Sequence, residues 1–516
     1  MYYFLNDNMQ YSKSGIEHAE INRLHLFRKN GIPAKIVTRI FSMDLTNILE
    51  QAGIPRENFV NLFEFFCGSQ DVATKPLTLN DFSLPRNTTS TKKDNQLQVF
   101  SQGKMLMIIY LRKDTEDEIS NIQYFDVNGR TLKMVWWDTR GFKCLEQLFD
   151  WDGKIVQEQY FGPDGLVHIE KCHLIDHAGK EHLSWRVLNY GDGSSRTFNG
   201  MNSLTRFFYD ELNANGETNV YICDRTVECD WALFNMQTPA FKVLHLHNDH
   251  VADPSDMIHS PLNNNYQNAL MNWHKWDAVI SATPEQSQDV ADRFGTDIPA
   301  FTIPVGYVTD EQMAAPQEPF SKRQKHLVVH VARLAPEKQQ NHSIQAFAQV
   351  HEKFPDARLE LWGYANGDVE KAFKQQVADS GLSDVVSFKG YTHDIAAVYD
   401  RAQLGLLPSR AEGFSLMLLE AQSHGVPMIA NDVKYGPSDI IANGESGLLT
   451  TDGDVQGLAD DMIALLGDQD RLAAFSAAAY QNAQRYSEDA VFAKWQILLD
   501  YFDHQTQAQR AVAEEA

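Results

Sequence analysis

Two carboxylates stand eight positions apart in the stretch Glu412-Gly413-Phe414-Ser415-Leu416-Met417-Leu418-Leu419-Glu420. The second opens an expected helix, Glu420-Ala421-Gln422-Ser423-His424-Gly425. A helix start carries free backbone N–H groups and a partial positive charge, which suits an anionic or hydroxyl-rich ligand. This spacing can hold a sugar ring with one carboxylate and a ribose with the other. Upstream, Val331-Ala332-Arg333-Leu334-Ala335-Pro336-Glu337-Lys338 follows an apolar strand and leads into a helix. There Arg333 can neutralise a diphosphate as a planar fork and Lys338 as a point charge. Either pair alone is ordinarily solvated surface. Their combination at strand ends is what marks them.

Three further segments carry chemistry-bearing residues. Ser14, Gly15, Ile16 and Glu17 lie between an N-terminal strand and a helix. Gly15 permits close approach of a ligand there, and the helix start favours negative charge. The run His245-Leu246-His247-Asn248-Asp249-His250 follows the strand beginning at Lys242. Strand alternation turns His245 and His247 to one face, and a zinc site there lacks a pattern of further ligands. Asp150-Trp151-Asp152 has the look of a metal-binding Asp-x-Asp, but it falls in a repeating turn where Asp is favoured for its own backbone hydrogen bonds. No metal site is expected.

The elements that must position these residues are of two kinds. Short apolar strands alternate with helices over 242–246 and 278–282, then over 326–331, 358–363, 385–388, 404–407 and 427–430. That alternation implies doubly wound parallel sheets. Between the first strands and this series the pattern changes. Glycines at 129, 141, 153, 165, 179 and 193 recur at intervals of 12, 12, 12, 14 and 14, mostly in Asn-Gly or Asp-Gly turns. Aromatic and β-branched residues alternate between them, which is hairpin chemistry and predicts an antiparallel β-meander. The expected domains are therefore 1–67 with 205–305, an insertion over 68–204, a second α/β domain over 306–486, and a helix over 487–505 with a loose tail after it.

A chain of 516 residues exceeds what one core supports. Its five cysteines are scattered without metal-ligand pairing, as reduced thiols. A net charge of −24 argues against nucleic acid as a partner. No apolar run approaches the ~20 residues of a membrane span. The N-terminal residues lack signal-peptide regions, so a cytoplasmic location is expected, with peripheral membrane contact still open.

The motifs at 328–450 resemble those of GT4-like retaining glycosyltransferases of GT-B fold, two Rossmann-like domains facing a cleft. The likeness extends at a lower level over 1–66 and 205–500. It implies that Arg333 and Lys338 steady the leaving nucleoside diphosphate, that Glu412 reaches donor-sugar hydroxyls, and that Glu420 reaches the ribose. Gly390 and Tyr391 would hold the base, and Gly413, Phe414 and Ser415 would turn toward the β-phosphate. The loop at Ser14 to Glu17 matches a glycine loop that often has two adjacent glycines; here Ser14 precedes a single one. A histidine beside the sugar C1 is implied, with His247 and His250 as candidates and His245 as structural. No cofactor is required beyond the donor, UDP-N-acetylglucosamine or UDP-glucose. The inserted meander resembles that of bacterial accessory-secretion O-glycosyltransferases acting on serine-rich-repeat adhesins, and that of teichoic-acid α-glycosyltransferases. The expected acceptor is accordingly a serine-rich polypeptide, with a poly(polyol-phosphate) as the alternative. The meander would dock a glycosyltransferase-like partner subunit or a second copy of the chain. A non-catalytic, acceptor-binding subunit is the third alternative.

Overall fold

The computed structural model describes residues 1–214, 216–365 and 367–515. The chain divides into two compact units, Met1–Lys13 with Gly31–Phe241 and Ser14–Asn30 with Lys242–Ala516.

In the first unit, four short strands pair in parallel in the order Val220–Cys223, Tyr2–Leu5, Ala34–Thr38, Phe59–Asn61. They are almost wholly apolar and buried, as strands covered on both faces must be. The expected meander is a ten-stranded antiparallel sheet running from Thr88–Lys93 to Ser194–Phe198, each strand beside its sequence neighbour. Its turns share one device. Asp126 Oδ1 accepts from the N–H groups of Asn128 and Arg130, at 2.8 and 3.0 Å. Asp150 accepts from Asp152 and Lys154 at 2.9 Å each, and Asp176 does the same for Ala178 and Lys180. The Asp150 carboxylate thus serves its own turn. Each turn closes on a glycine of positive φ, such as Gly153 at 77°, a conformation that costs glycine nothing.

Two clusters hold this sheet on helix Leu62–Cys67 and the residues after it. Tyr160 and Trp185 pack on Phe63, with centroids 4.6 and 6.0 Å away. The buried Arg140 guanidinium donates to Asp138 at 2.7 Å, to Glu64 at 2.9 Å and to the Ser69 carbonyl at 2.5 Å.

The second unit contains a three-strand parallel array, Phe241–His245, Ala278–Ser281 and Ala300–Thr302. It also contains a six-stranded parallel sheet. The order there is Val386–Gly390, Arg358–Trp362, Leu327–Val331, Leu404–Leu407, Met428–Asn431, Gly447–Thr450. Its core takes Ile344, Phe347 and Val350 from one helix and Leu458, Met462 and Leu465 from another. The strand order reverses between Leu327–Val331 and Leu404–Leu407, and such a reversal opens a crevice at the carboxyl ends of the strands.

The last helix is longer than expected, Glu488–Glu515. Trp495 packs edge-on against Phe27 of helix Gly15–Lys29, at 5.2 Å. No described helix is long and apolar enough to cross a membrane.

Candidate active site

The crevice of the six-stranded sheet brings Lys338 and Glu412 together, with Arg333 beside them. Arg333 and Lys338 follow strand Leu327–Val331, and Glu412 follows the adjacent strand Leu404–Leu407. Lys338 Nζ donates to Glu412 Oε1 at 2.7 Å. The Glu412 side chain is nearly buried and that of Lys338 partly exposed, so the pair is a guarded charge at the edge of solvent. Arg410 N–H donates to the Glu337 carbonyl at 3.0 Å, tying the two loops together. Arg333 is more exposed and pairs with Glu337 at 2.5 Å.

The helix after Glu412 differs from the expectation. It runs over Leu416–Ser423, so Glu420 lies inside it rather than at its start. The apolar run Leu416-Met417-Leu418-Leu419 is good helix-forming sequence, and Ser415, in a left-handed conformation at φ 74°, is the residue that opens it. The helix start moves next to Glu412 as a result. Among the described residues, the N–H groups of Gly413, Phe414, Ser415 and Leu416 donate to no protein group. Four free donors and a helix dipole at one point have the chemistry to receive an anion. Glu420 is half-buried, and burial pushes its carboxyl up to about 7.

His247 meets this loop through its backbone. A Cβ on Gly413 would overlap the His247 carbonyl, so only glycine allows the two chains to lie this close. The His247 N–H donates to the Tyr266 hydroxyl at 2.9 Å. His245 is buried, its Nδ1 2.9 Å from Arg23 Nη1. His250 is a correction in placement. It is fully buried beside Phe294, and burial together with Arg293 pushes its pKa down to about 4. Of the two candidates, it is His247 whose backbone lies against the Gly413 loop.

The two remaining segments approach each other. Gly390 ends strand Val386–Gly390 at φ 74°. Tyr391 Oη lies 3.5 Å from His18 Nε2 of helix Gly15–Lys29, and Tyr391 is also ringed by Tyr364 and His393. At the helix start, the Ser14 N–H donates to Glu17 Oε2 at 2.7 Å. Glu17 therefore caps its helix, and Ile16 beside it is half-buried. A Cβ on Gly15 would meet nothing within 4 Å, so the chain is open there.

Asp249 was not among the residues picked from sequence. It is buried, and burial together with the Glu412 carboxylate pushes its carboxyl up to about 7. Both causes are tertiary, so the sequence around Asp249 carries no signal of them.

The profile of the family "Glycosyl transferases group 1" matches residues 312–482, the part that holds the Lys338–Glu412 crevice. The UDP-N-acetylglucosamine–peptide N-acetylglucosaminyltransferase GtfA subunit of Streptococcus gordonii is 25% identical over 96% of this chain and 98% of its own. The poly(glycerol-phosphate) alpha-glucosyltransferase of Bacillus subtilis is 22% identical over 97% of this chain and 75% of its own. Among solved structures, the pneumococcal O-GlcNAc transferase GtfA in complex with UDP and GlcNAc superposes with a TM-score of 0.83. It is 22% identical over 98% of this chain and 99% of its own. That likeness gives the fold, GT-B with the antiparallel sheet included.

Proposed function

We propose that this chain, a GT4-like group 1 glycosyltransferase of GT-B fold, moves N-acetylglucosamine from UDP-N-acetylglucosamine to Ser/Thr hydroxyls of a serine-rich polypeptide, a surface adhesin of the serine-rich-repeat kind. The observation that carries the reading is the Lys338–Glu412 pair set beside the free N–H groups of 413–416. Lys338, Arg333 and those N–H groups receive the diphosphate, where fixed electrostatics contribute most to catalysis. Glu412 accepts from sugar hydroxyls, Glu420 from the ribose, and Tyr391 stacks on the base. The His247 backbone lines the sugar face. The acceptor hydroxyl attacks C1 from the face that the leaving group occupies. Its oxygen bonds to C1, the C1–O bond to phosphate breaks, and the hydroxyl proton passes to the departing phosphate oxygen. No carboxylate nucleophile is assigned, and no metal takes part.

The name of the S. gordonii relative supports both the donor and a protein acceptor, and its designation as a subunit supports a partner protein. The ten-stranded sheet is the surface we assign to that partner or to a second copy of the chain. The domains are taken as 1–67 with 205–305, 68–204, 306–486 and 487–505. The enzyme would work in the cytoplasm, with peripheral contact at the membrane. The B. subtilis relative favours a second reading, α-glucosyl transfer from UDP-glucose to a poly(polyol-phosphate). A binding-only subunit is disfavoured, because Arg333, Lys338, Glu412 and Glu420 are all present.

Intact mass separates these readings. The protein is incubated with a serine-rich polypeptide, chelator, and UDP-N-acetylglucosamine or UDP-glucose in parallel. An N-acetylhexosamine increment is expected. A hexose increment would change the donor, and donor turnover only with a polyol-phosphate polymer would change the acceptor. UDP binding without transfer to either acceptor would favour the binding subunit.

A further inference from the structure

Asp249 lies two residues beyond His247, on the chain that crosses Gly413. The residue is 3% exposed, and its Oδ1 is sealed from solvent with no hydrogen-bond partner among the described residues. A buried ionised oxygen without a donor is costly. The charged groups facing it are Glu412, Lys338 and Lys434, and Tyr435 stands beside it. Both cations are committed to other carboxylates. Lys338 holds Glu412 at 2.7 Å, while Lys434 holds Asp289 at 2.8 Å and Glu285 at 3.1 Å. The Tyr435 hydroxyl donates to Asp289 at 2.7 Å. Asp249 therefore faces a like charge with no cation of its own, so its ionised form is held at a cost.

We propose that Asp249 is a positioning residue for the donor, a neutral carboxyl group that lets Glu412 stay ionised when Lys338 turns to the diphosphate, so that donor binding takes up one proton at Asp249. The inference rests on the donor reading given above. When Lys338 leaves Glu412, two carboxylates would face each other without a counter-ion, and one of them must be neutral. Glu412 is needed as an acceptor for sugar hydroxyls, and Asp249 is the more deeply buried of the two. The proton comes from solvent and forms one O–H bond on the Asp249 carboxylate; no other bond changes. The elevated carboxyl, already near neutrality in the free protein, moves further up on binding. Affinity is then full below pH 7 and declines as pH rises through and above it, by up to about tenfold per unit for one proton.

Calorimetry of the full chain with UDP-N-acetylglucosamine at pH 8, in two buffers of different ionisation enthalpy, counts the proton directly. The donor's diphosphate is esterified at both ends and does not titrate in this range. Uptake of roughly half to one proton is expected for the wild type, with the stated pH dependence. In Asp249→Asn both effects should vanish while binding persists. The wild-type proton count and pH dependence stand as a test even if that variant folds poorly. Donor binding with no uptake and a flat pH profile would overturn the proposal alone, as would uptake that survives in Asp249→Asn. Absence of donor binding by the wild type would overturn the donor reading and this proposal with it.

Discussion

Lys338 Nζ and Glu412 Oε1 lie 2.7 Å apart although 74 residues separate them in the chain. Strands Leu327–Val331 and Leu404–Leu407 run in parallel with Val328 opposite Leu404, so the loops that follow them leave the sheet side by side. The pair is thus a product of the strand reversal. The Glu412 side chain is nearly buried there and that of Lys338 partly exposed.

Removing either partner should slow transfer sharply. Lys338→Ala and Glu412→Gln are each expected to lower the rate by about 10²–10³, the scale for losing one preorganised electrostatic group. Lys338→Ala also leaves Glu412 without its cation, at a cost of about 1–3 kcal/mol of stability. Glu412→Gln leaves no such orphan and should melt closer to wild type. Initial rates and thermal melts of the two variants check both statements.

Glycine substitutions distinguish packing from ligand contact. Gly413→Ala drives a Cβ into the His247 carbonyl. Backbone cannot give way as a side chain can, so a loss of about 1–3 kcal/mol and a sharp fall in activity are expected. Gly15→Ala meets no protein atom within 4 Å. It should melt as wild type and raise only the KM for donor. Melting curves with donor titrations separate the two outcomes.

Glu420 makes stability depend on pH. Its carboxyl is raised to about 7 in the folded protein, against an unfolded value of about 4.3. The folded state therefore binds the proton more tightly, and its stability falls as pH climbs from about 4 to about 7, then levels off. Glu420→Gln removes this cost. The variant's advantage over wild type should grow by up to about 3 kcal/mol between pH 4 and pH 8. Denaturant titrations at those two values measure it.

Arg140 anchors the ten-stranded sheet. Its guanidinium serves Asp138, Glu64 and the Ser69 carbonyl from a buried position. Arg140→Ala strands the buried Asp138 carboxylate, while Glu64 keeps Arg56, at a cost of about 3 kcal/mol. Faster proteolysis between 68 and 204 than elsewhere in the chain should accompany it, as read by mass mapping of limited digests.

Much of the architecture was legible because it rests on local periodicity. The turns at Gly129, Gly141, Gly153 and Gly165 fall where glycine intervals placed them. Each hairpin is closed by residues next to each other in sequence, so spacing suffices to find it. The parallel strands were legible as apolar runs between helices. The start of the helix at Leu416 was misplaced, because propensity favours a helix throughout 416–424 and only the left-handed Ser415 fixes where it begins.

Within the site, the sequence determined the chemical types: a fork and a point charge at 333 and 338, carboxylates at 412 and 420, and histidines at 245, 247 and 250. Their residue identities and their positions after strands are local properties, and local properties survive in a linear string. Where these histidines lie was decided by tertiary structure, which seals His250 beside Phe294 and lays the His247 backbone on Gly413. So were the surroundings of Asp249, whose carboxyl is raised first by burial and then by Glu412, more than 160 residues away. Burial and like-charge proximity depend on where distant segments meet, and no spacing along the chain records that.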